Sequence, residues 1–220
     1  MDLGLKGKKV LITGGSKGIG ASCGHVFAAE GANIVLVSRT ADALKVTGDD
    51  IRSRHQVSVE THAADLSKAS DREATWAKYQ DADILVNNAG AIPGGSILDL
   101  TMERWIESWQ LKVFGYIHMT QLALKSMQPR KAGTIVNIIG MAGPAPRWDY
   151  VAGSTGNAGL NAFTKAVGSR SVDFGVRVSA SIRLPPAPIA SRHYRKRAPS
   201  RCSATRTVGR RRSAISVRAS

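Results

Sequence analysis

The 220-residue sequence contains only two cysteines, Cys23 and Cys202, which excludes a disulfide framework and favours a reducing environment. It has no run of about 18 or more apolar residues, so no transmembrane helix is predicted. Its N-terminus lacks the apolar segment of a secretory signal, and its five histidines show no metal-ligand spacing. We therefore expect a cytoplasmic protein with no membrane association and no metal site. Its hydrophobic content of 43% is typical of a globular domain.

Acidic residues are absent from residues 183–220, which contain ten Arg and one Lys. This segment therefore carries +11 of the formal net charge of +15, and residues 1–182 carry the remaining +4. Because its few aliphatic residues follow no period, we predict one folded domain over residues 1–182 and a disordered basic tail over residues 183–220.

The basic tail has two interpretations. Its only aromatic residue is Tyr194, so binding to nucleic acid or to another anionic surface would be non-specific and sensitive to salt. The abrupt change to an Arg/Ser/Pro/Ala-rich composition after residue 182 also fits an altered reading frame, in which case the tail has no function of its own.

Short apolar runs alternate with longer helical patterns through the first 182 residues. Strands are predicted at residues 9–13, 33–38, 57–62, 84–86 and 134–138 and from 176 onward, and helices at 18–30, 41–54, 70–79, 102–127 and 155–174. Parallel strands need long crossover connections, and strands that are covered by helices on both faces are continuously apolar. The pattern therefore predicts an α/β fold with a Rossmann-type, doubly wound parallel sheet of six strands.

A glycine-rich loop joins the first predicted strand to the first predicted helix. It reads Thr-Gly-Gly-Ser-Lys-Gly-Ile-Gly over residues 13–20. Glycines allow a tight turn and let the backbone approach a phosphate, and the helix that follows presents N–H groups with a partial positive charge. Because it lies between a strand and a helix, the loop predicts a pyrophosphate site rather than a purely structural turn.

The spacing T-G-x-x-x-G-x-G and the sequence Asn-Asn-Ala-Gly at residues 87–90 resemble the short-chain dehydrogenase/reductase (SDR) family. The resemblance extends over about residues 6–182, and the seventh strand that the family usually has is missing. It implies an oxidoreductase that transfers hydride between a nicotinamide dinucleotide and a carbonyl or alcohol substrate, and a homodimer or homotetramer. The cofactor-binding residues that it implies are Gly14, Ser16, Lys17, Gly18, Ile19, Gly20, Ser38, Arg39, Asp65, Leu66, Asn87, Ala89 and Gly90.

The residues after the second strand indicate which dinucleotide is bound. An acidic residue there would hydrogen-bond the ribose hydroxyls of NAD, whereas a basic residue would neutralise the 2′-phosphate of NADP. The sequence has Arg39 at this point and a second cation, Lys17, within the glycine loop. Arginine matches phosphate geometry with two parallel hydrogen bonds. The sequence therefore favours NADP(H) over NAD(H), unless both cations are merely solvated surface charges.

All four catalytic positions that the resemblance implies are substituted. The family usually has Asn, Ser, Tyr and Lys where this sequence has Lys112, Gly140, Gly153 and Asn157. In the family the Tyr is the acid/base, the Lys lowers its pKa, the Ser positions the carbonyl and the Asn holds a water in the proton relay. Neither glycine can donate a proton, so an active enzyme would need an acid/base from elsewhere in the chain.

Three residues are candidates for the missing chemistry. Tyr150 offers a phenol, Lys112 offers an amine whose pKa partial burial would lower, and Ser154 offers a hydroxyl that could position a carbonyl. Each also has a structural interpretation: Tyr150 as an aromatic of the pocket wall, Lys112 as a donor to backbone carbonyls, and Ser154 as a helix cap. The sequence thus leaves open an active oxidoreductase, a catalytically impaired dinucleotide-binding protein, and an anion-binding protein that acts through the tail.

Overall fold

The computed structural model describes residues 1–183 of the chain. The strands in this part are β1 Lys9–Thr13, β2 Asn33–Ser38, β3 Val59–Ala63, β4 Ile84–Asn87, β5 Gly133–Gly140 and β6 Val176–Arg183. The helices are α1 Gly18–Ala29, α2 Ala41–Arg54, α3 Ala69–Lys78, α4 Met102–Trp109, α5 Gly115–Arg130 and α6 Val151–Ser171. A π-helical segment, Gln110–Phe114, joins α4 to α5, and a 3₁₀ turn, Val172–Phe174, follows α6.

The six strands form one parallel sheet in the order β3-β2-β1-β4-β5-β6. This order confirms the predicted Rossmann-type α/β fold. The chain runs outward in one direction from β1 to β3 and then returns to add β4 on the other side of β1. In such sheets the carboxyl ends of the two central strands border a crevice, which is where ligands bind.

The central strands are buried because helices cover both faces of the sheet. Along β1, Leu11 packs into one hydrophobic cluster, whereas Val10 and Ile12 pack into another. The first cluster includes residues of α3 and α5, and the second includes residues of α1 and α2. Successive side chains of a strand point to opposite faces, so a continuously apolar strand supplies both clusters.

The long helix predicted over residues 102–127 is not continuous in the structure. The pattern predicted a continuous α-helix over residues 102–127, but the structure has α4, the π-helical segment and α5. A π-helical turn contains an additional residue and leaves hydrogen-bonding groups of the helix without their usual partners. One such group, the Gln110 carbonyl, accepts a hydrogen bond at 3.3 Å from the Arg72 side chain, which lies on another helix.

The start of α6 also differs from the prediction. The helix begins at Val151 rather than at residue 155, so Ser154 lies in its first turn and is not its N-cap. The physical reason is a short backbone pairing just before the helix. Gly95 donates to the Asp149 carbonyl at 2.9 Å and accepts from the Val151 N–H at 3.2 Å.

Residues 1–183 contain neither a helix that is long and apolar enough to span a membrane nor a cluster of side chains able to hold a metal ion. The domain boundary predicted at residue 182 falls within the last strand, β6, which ends at Arg183. The remainder of the predicted tail lies outside the described residues.

Candidate functional site

Two loops meet where β1 and β4 end. The Thr13 hydroxyl accepts hydrogen bonds from the backbone N–H groups of Asn88 and Ala89, at 2.9 and 3.0 Å. The side-chain amide of Asn88 donates in turn to the carbonyl oxygens of Thr13 and Gly14, at 3.0 and 3.2 Å. These four bonds fix the glycine loop against the Asn-Asn-Ala-Gly loop. Sequence reasoning missed these roles of Thr13 and Asn88, although both residues lie within the two motifs.

Two glycines of the loop are required by its geometry. Gly14 has a φ of +68°, and a Cβ added to it would lie 2.9 Å from the Cα of Ala89. A Cβ on Gly20 would overlap the carbonyl oxygen of Gly14. Larger residues at either position would force the loop or the helix away from β1. Gly18, with a φ of +56°, has open space around its Cα, as a phosphate-binding turn requires.

Helix α1 begins directly after the loop. Lys17 precedes the helix in an extended conformation and provides no side-chain cap, so the first N–H groups of α1 are not satisfied by a capping side chain. The loop is held from the other side by Thr47, whose hydroxyl donates to the Ser16 carbonyl at 2.8 Å. A helix N-terminus of this kind attracts an anion such as a pyrophosphate.

The ends of β2 and β3 lie at the other end of the crevice. The Ser38 hydroxyl oxygen is buried without a hydrogen-bond partner in the described residues, and Arg39 beside it is exposed. Burial opposes ionisation of Asp65, but hydrogen bonds from Ser67 and the nearby charge of Arg39 outweigh it and lower the pKa of Asp65. The charge of Arg39 is therefore close enough to Asp65 to stabilise its carboxylate. The orphaned hydroxyl, the cation and the open glycine turn fit a phosphate-bearing dinucleotide.

Three of the four positions where the resemblance implies catalytic residues, Gly140, Gly153 and Asn157, lie at the end of β5 and in the first two turns of α6. Asn157 is 1% exposed, and its side-chain oxygen accepts from the Gly140 N–H at 2.7 Å. Its side-chain nitrogen donates to the Gly153 carbonyl at 2.6 Å. A Cβ on Gly140 would lie 3.1 Å from both polar atoms of this amide. Asn157 thus joins β5 to α6 and fills the space beside Gly140.

Tyr150 occupies the space that a side chain at position 153 would need. A Cβ added to Gly153 would overlap the end of the Tyr150 ring that carries the hydroxyl. The ring packs against the apolar cluster of Ile92, Val113 and Ala152, and burial raises the pKa of the Tyr150 phenol. The backbone pairing before α6 holds Tyr150 on both sides, so its position is fixed by main-chain bonds as well as by packing.

Lys112 lies within the π-helical segment, and its alkyl chain packs over Gly90. A Cβ on Gly90 would lie only 2.8 Å from the Lys112 Cδ, so this glycine is needed where the lysine crosses the loop. The Lys112 Nζ lies 5.7 Å from the centre of the Tyr116 ring, a distance at which a cation is attracted to a ring face. Lys112 thus lies beside the Asn-Asn-Ala-Gly loop, whereas the adjacent Val113 packs into the cluster that includes Tyr150.

Ser154 is more deeply enclosed than the other two candidates. Its side-chain oxygen accepts from the Arg147 N–H at 3.0 Å, and the residue is 5% exposed. The hydroxyl thus holds the loop that precedes Tyr150.

Comparison with known proteins identifies the family. Residues 8–197 match the short chain dehydrogenase family, a match that continues past residue 182, where the resemblance was expected to end. A D-beta-hydroxybutyrate dehydrogenase from Cupriavidus necator is 34% identical over 183 residues, which are 80% of this chain and 69% of that protein. An L-xylulose reductase from Cavia porcellus is 32% identical over 181 residues, which are 82% of this chain and 72% of that protein.

The solved structures that this chain resembles are likewise a reductase and a dehydrogenase. L-sorbose reductase from Gluconobacter frateurii, in complex with NADPH and L-sorbose, superimposes with a TM-score of 0.78 at 30% identity and covers 82% of this chain and 70% of its own. A short-chain dehydrogenase from Sphingobium yanoikuyae in complex with NADPH gives a TM-score of 0.75 at 28% identity, with 80% and 70% covered. Family match, sheet order and glycine loop all agree, and the chain belongs to the short-chain dehydrogenase family of oxidoreductases.

Proposed function

We propose that this chain is an NADP(H)-dependent oxidoreductase that transfers hydride between nicotinamide and a carbonyl or alcohol group of a small molecule. The observation that carries the proposal is the position of Tyr150, whose phenol end fills the space at Gly153. The family usually has its catalytic Tyr at that position. A phenol therefore enters this part of the site from three residues earlier in the chain.

The residues around Arg39 support NADP(H) rather than NAD(H). Arg39 and Lys17 are both exposed cations beside the crevice, and neither Arg39 nor Thr40, the two residues directly after β2, is acidic. The unpartnered Ser38 hydroxyl beside Arg39 adds a hydrogen-bonding group for the same phosphate. The two solved relatives described above were crystallised with NADPH, which agrees with this preference.

Residues of the chain perform the steps of the reaction other than the supply of hydride. The dinucleotide, held by the glycine loop and by Arg39, would supply the hydride when bound. Tyr150 donates its phenolic proton to the carbonyl oxygen, and solvent then returns a proton to the phenolate. Lys112 supplies positive charge beside this proton transfer. Ser154 does not touch the substrate but holds the loop before Tyr150 through Arg147.

The test is hydride transfer from NADPH to a panel of small carbonyl compounds, with Tyr150→Phe as the variant. This change keeps the ring and removes the hydroxyl, so we expect turnover to fall by about 100-fold or more while NADPH affinity stays the same. Trp148→Phe, in an exposed residue of the same loop, is the control and should keep full activity. Equal turnover in Tyr150→Phe and the unmodified protein would show that Tyr150 carries no proton.

A second candidate function is dinucleotide binding without turnover. The observation that favours it is Asn157, which is buried and uses both of its amide groups in structural hydrogen bonds. No lysine occupies that position. NADPH binding without reduction of any carbonyl in the panel would favour this second function, and no NADPH binding at millimolar concentration would contradict both.

We also propose that a second copy of the chain packs against the helices that flank the π-helical segment. In the family the long helix at this point of the chain, predicted here over residues 102–127, commonly forms a subunit interface. The side chains of Met102, Ile106, Phe114 and Ile117 are large, apolar and exposed on this part of the chain. Light scattering should report a homodimer or homotetramer, and Ile106→Glu should shift the mass toward the monomer. A monomeric unmodified protein would contradict this assignment.

A further inference from the structure

A single buried arginine connects two segments that border the proposed site. Arg72 lies on α3 and is 5% exposed. Its Nη1 donates to the carbonyl oxygens of Leu66, Ser67 and Gln110 at 2.8, 3.0 and 3.3 Å. Its Nε donates to the Nδ1 of His118 on α5 at 3.0 Å. A guanidinium presents its donors in a fixed fork, so these acceptors are held in one geometry.

The carbonyls that Arg72 binds belong to different parts of the site. Leu66 and Ser67 follow Asp65, at the end of the crevice that the resemblance assigns to the adenine. Gln110 is the first residue of the π-helical segment, which also carries Lys112. One side chain therefore holds the Leu66–Ser67 loop at a fixed distance from the segment that carries Lys112.

Gly115 lies beside two of the carbonyl groups that Arg72 binds. A Cβ on Gly115, the residue directly after the π-helical segment, would lie 3.4 Å from the Gln110 carbonyl oxygen and 3.5 Å from that of Leu66. The two carbonyls thus converge on one point, and Arg72 reaches both. Burying a charged group is unfavourable unless it is hydrogen-bonded, so the guanidinium and the carbonyls depend on one another.

We propose that Arg72 is a positioning residue that holds the π-helical segment, and with it Lys112, in register with the Leu66–Ser67 loop. The proposal predicts that losing the guanidinium disturbs the Leu66–Ser67 loop and Lys112 together. It rests on the proposed function only in assigning Lys112 to the site. Its readouts are dinucleotide binding and the reactivity of one amine, neither of which needs turnover.

The experiment uses Arg72→Met, which keeps an extended apolar side chain and removes every hydrogen bond of the guanidinium. The matched control is Arg130→Met, because Arg130 also donates to backbone carbonyls, those of Asp81, Ala82 and Ser126, but far from the glycine loop. NADPH affinity is measured by fluorescence titration. Modification of Lys112 by an amine reagent is measured by mass spectrometry, with the exposed Lys165 as internal reference.

We expect Arg72→Met to weaken NADPH binding by about tenfold and to change the modification rate of Lys112 relative to Lys165 severalfold. Arg130→Met should lower the melting temperature without moving either readout. If Arg72→Met fails to fold, Arg72→Lys decides in its place, because lysine keeps the charge but cannot reproduce the fork.

Two results would overturn the inference. One is an Arg72 variant that is less stable but has unchanged NADPH affinity and unchanged Lys112 modification. The other is a change in only one of the two readouts, because a shift of the π-helical segment relative to the Leu66–Ser67 loop must affect both. Failure of the unmodified protein to bind NADPH would instead contradict the proposed function, so the two failures are distinguishable.

Discussion

At the scale of single residues, two glycines at the end of β5 and the start of α6 are each packed against a neighbouring side chain. The Asn157 amide fills the space beside Gly140, and the Tyr150 ring fills the space at Gly153. A serine restored at position 140 would bring its Cβ within 3.1 Å of that amide. A larger residue at either glycine would therefore require the neighbouring Asn157 or Tyr150 side chain to move.

Arg39 supports a prediction about cofactor preference. Arg39→Asp replaces a cation that would pair with a 2′-phosphate by a carboxylate that hydrogen-bonds ribose hydroxyls. We expect NADPH affinity to fall by about 100-fold, the equivalent of a lost bidentate charged contact, and NADH affinity to rise. Titration of both dinucleotides measures the ratio. Arg54→Asp, in an exposed arginine that pairs with Asp50, is the control, and a ratio unchanged by Arg39→Asp would refute the assignment.

At the scale of elements, the sequence predicted what depends on local pattern. The six strands, the glycine loop and the ends of α2 follow from periodicity and from motifs that lie within a few residues of one another. The π-helical segment does not, because Arg72 stabilises it from 38 positions away along the chain. The position of Tyr150 beside Gly153 could not be predicted from the sequence either, since it depends on the pairing with Gly95.

Helix α6 provides a matched pair of glycines for testing the placement of Tyr150. A methyl group at Gly153 would collide with the Tyr150 ring, whereas one at Gly159 would meet nothing within 4 Å. We expect Gly153→Ala to destabilise the fold by about 1–3 kcal/mol through overpacking. Gly159→Ala should stabilise it by about 0.5–1 kcal/mol because alanine favours the helix.

Urea denaturation of both alanine variants measures these changes, and turnover provides a second readout. Gly153→Ala should also lower turnover because the phenol is displaced, whereas Gly159→Ala should leave turnover unchanged. Equal stabilities for the two variants would mean that Tyr150 does not occupy the space at Gly153.

At the scale of the whole molecule, buried polar groups connect the sheet to the helices of one side. The Asn87 amide donates to Asn137 at 2.9 Å and to Thr120 at 3.2 Å, joining β4 to β5 and α5. Asn137 donates in turn to Thr164 on α6 at 3.0 Å. Buried polar groups are costly unless they are paired, so this chain of bonds allows one arrangement of strands and helices beneath the site.

The buried Tyr116 makes the free energy of unfolding decrease at alkaline pH. Tyr116 is almost fully buried, and burial raises the pKa of its phenol well above its ordinary value of about 10. As pH rises above about 10, the unfolded chain releases this proton while the folded protein retains it. The free energy of unfolding therefore falls, by about 1.4 kcal/mol per pH unit for this group, and the contribution is fully present only below pH 10.

Tyr116→Phe isolates this contribution from that of the other titrating groups. The variant loses the hydrogen bond to the Ile138 carbonyl, so it should be less stable by about 1 kcal/mol at pH 8. Between about pH 10 and 11 its stability should fall less steeply than that of the unmodified protein, and the two curves should converge. Urea denaturation at a series of pH values measures both curves. Parallel curves over this range would mean that Tyr116 ionises as readily in the folded protein as in the unfolded chain.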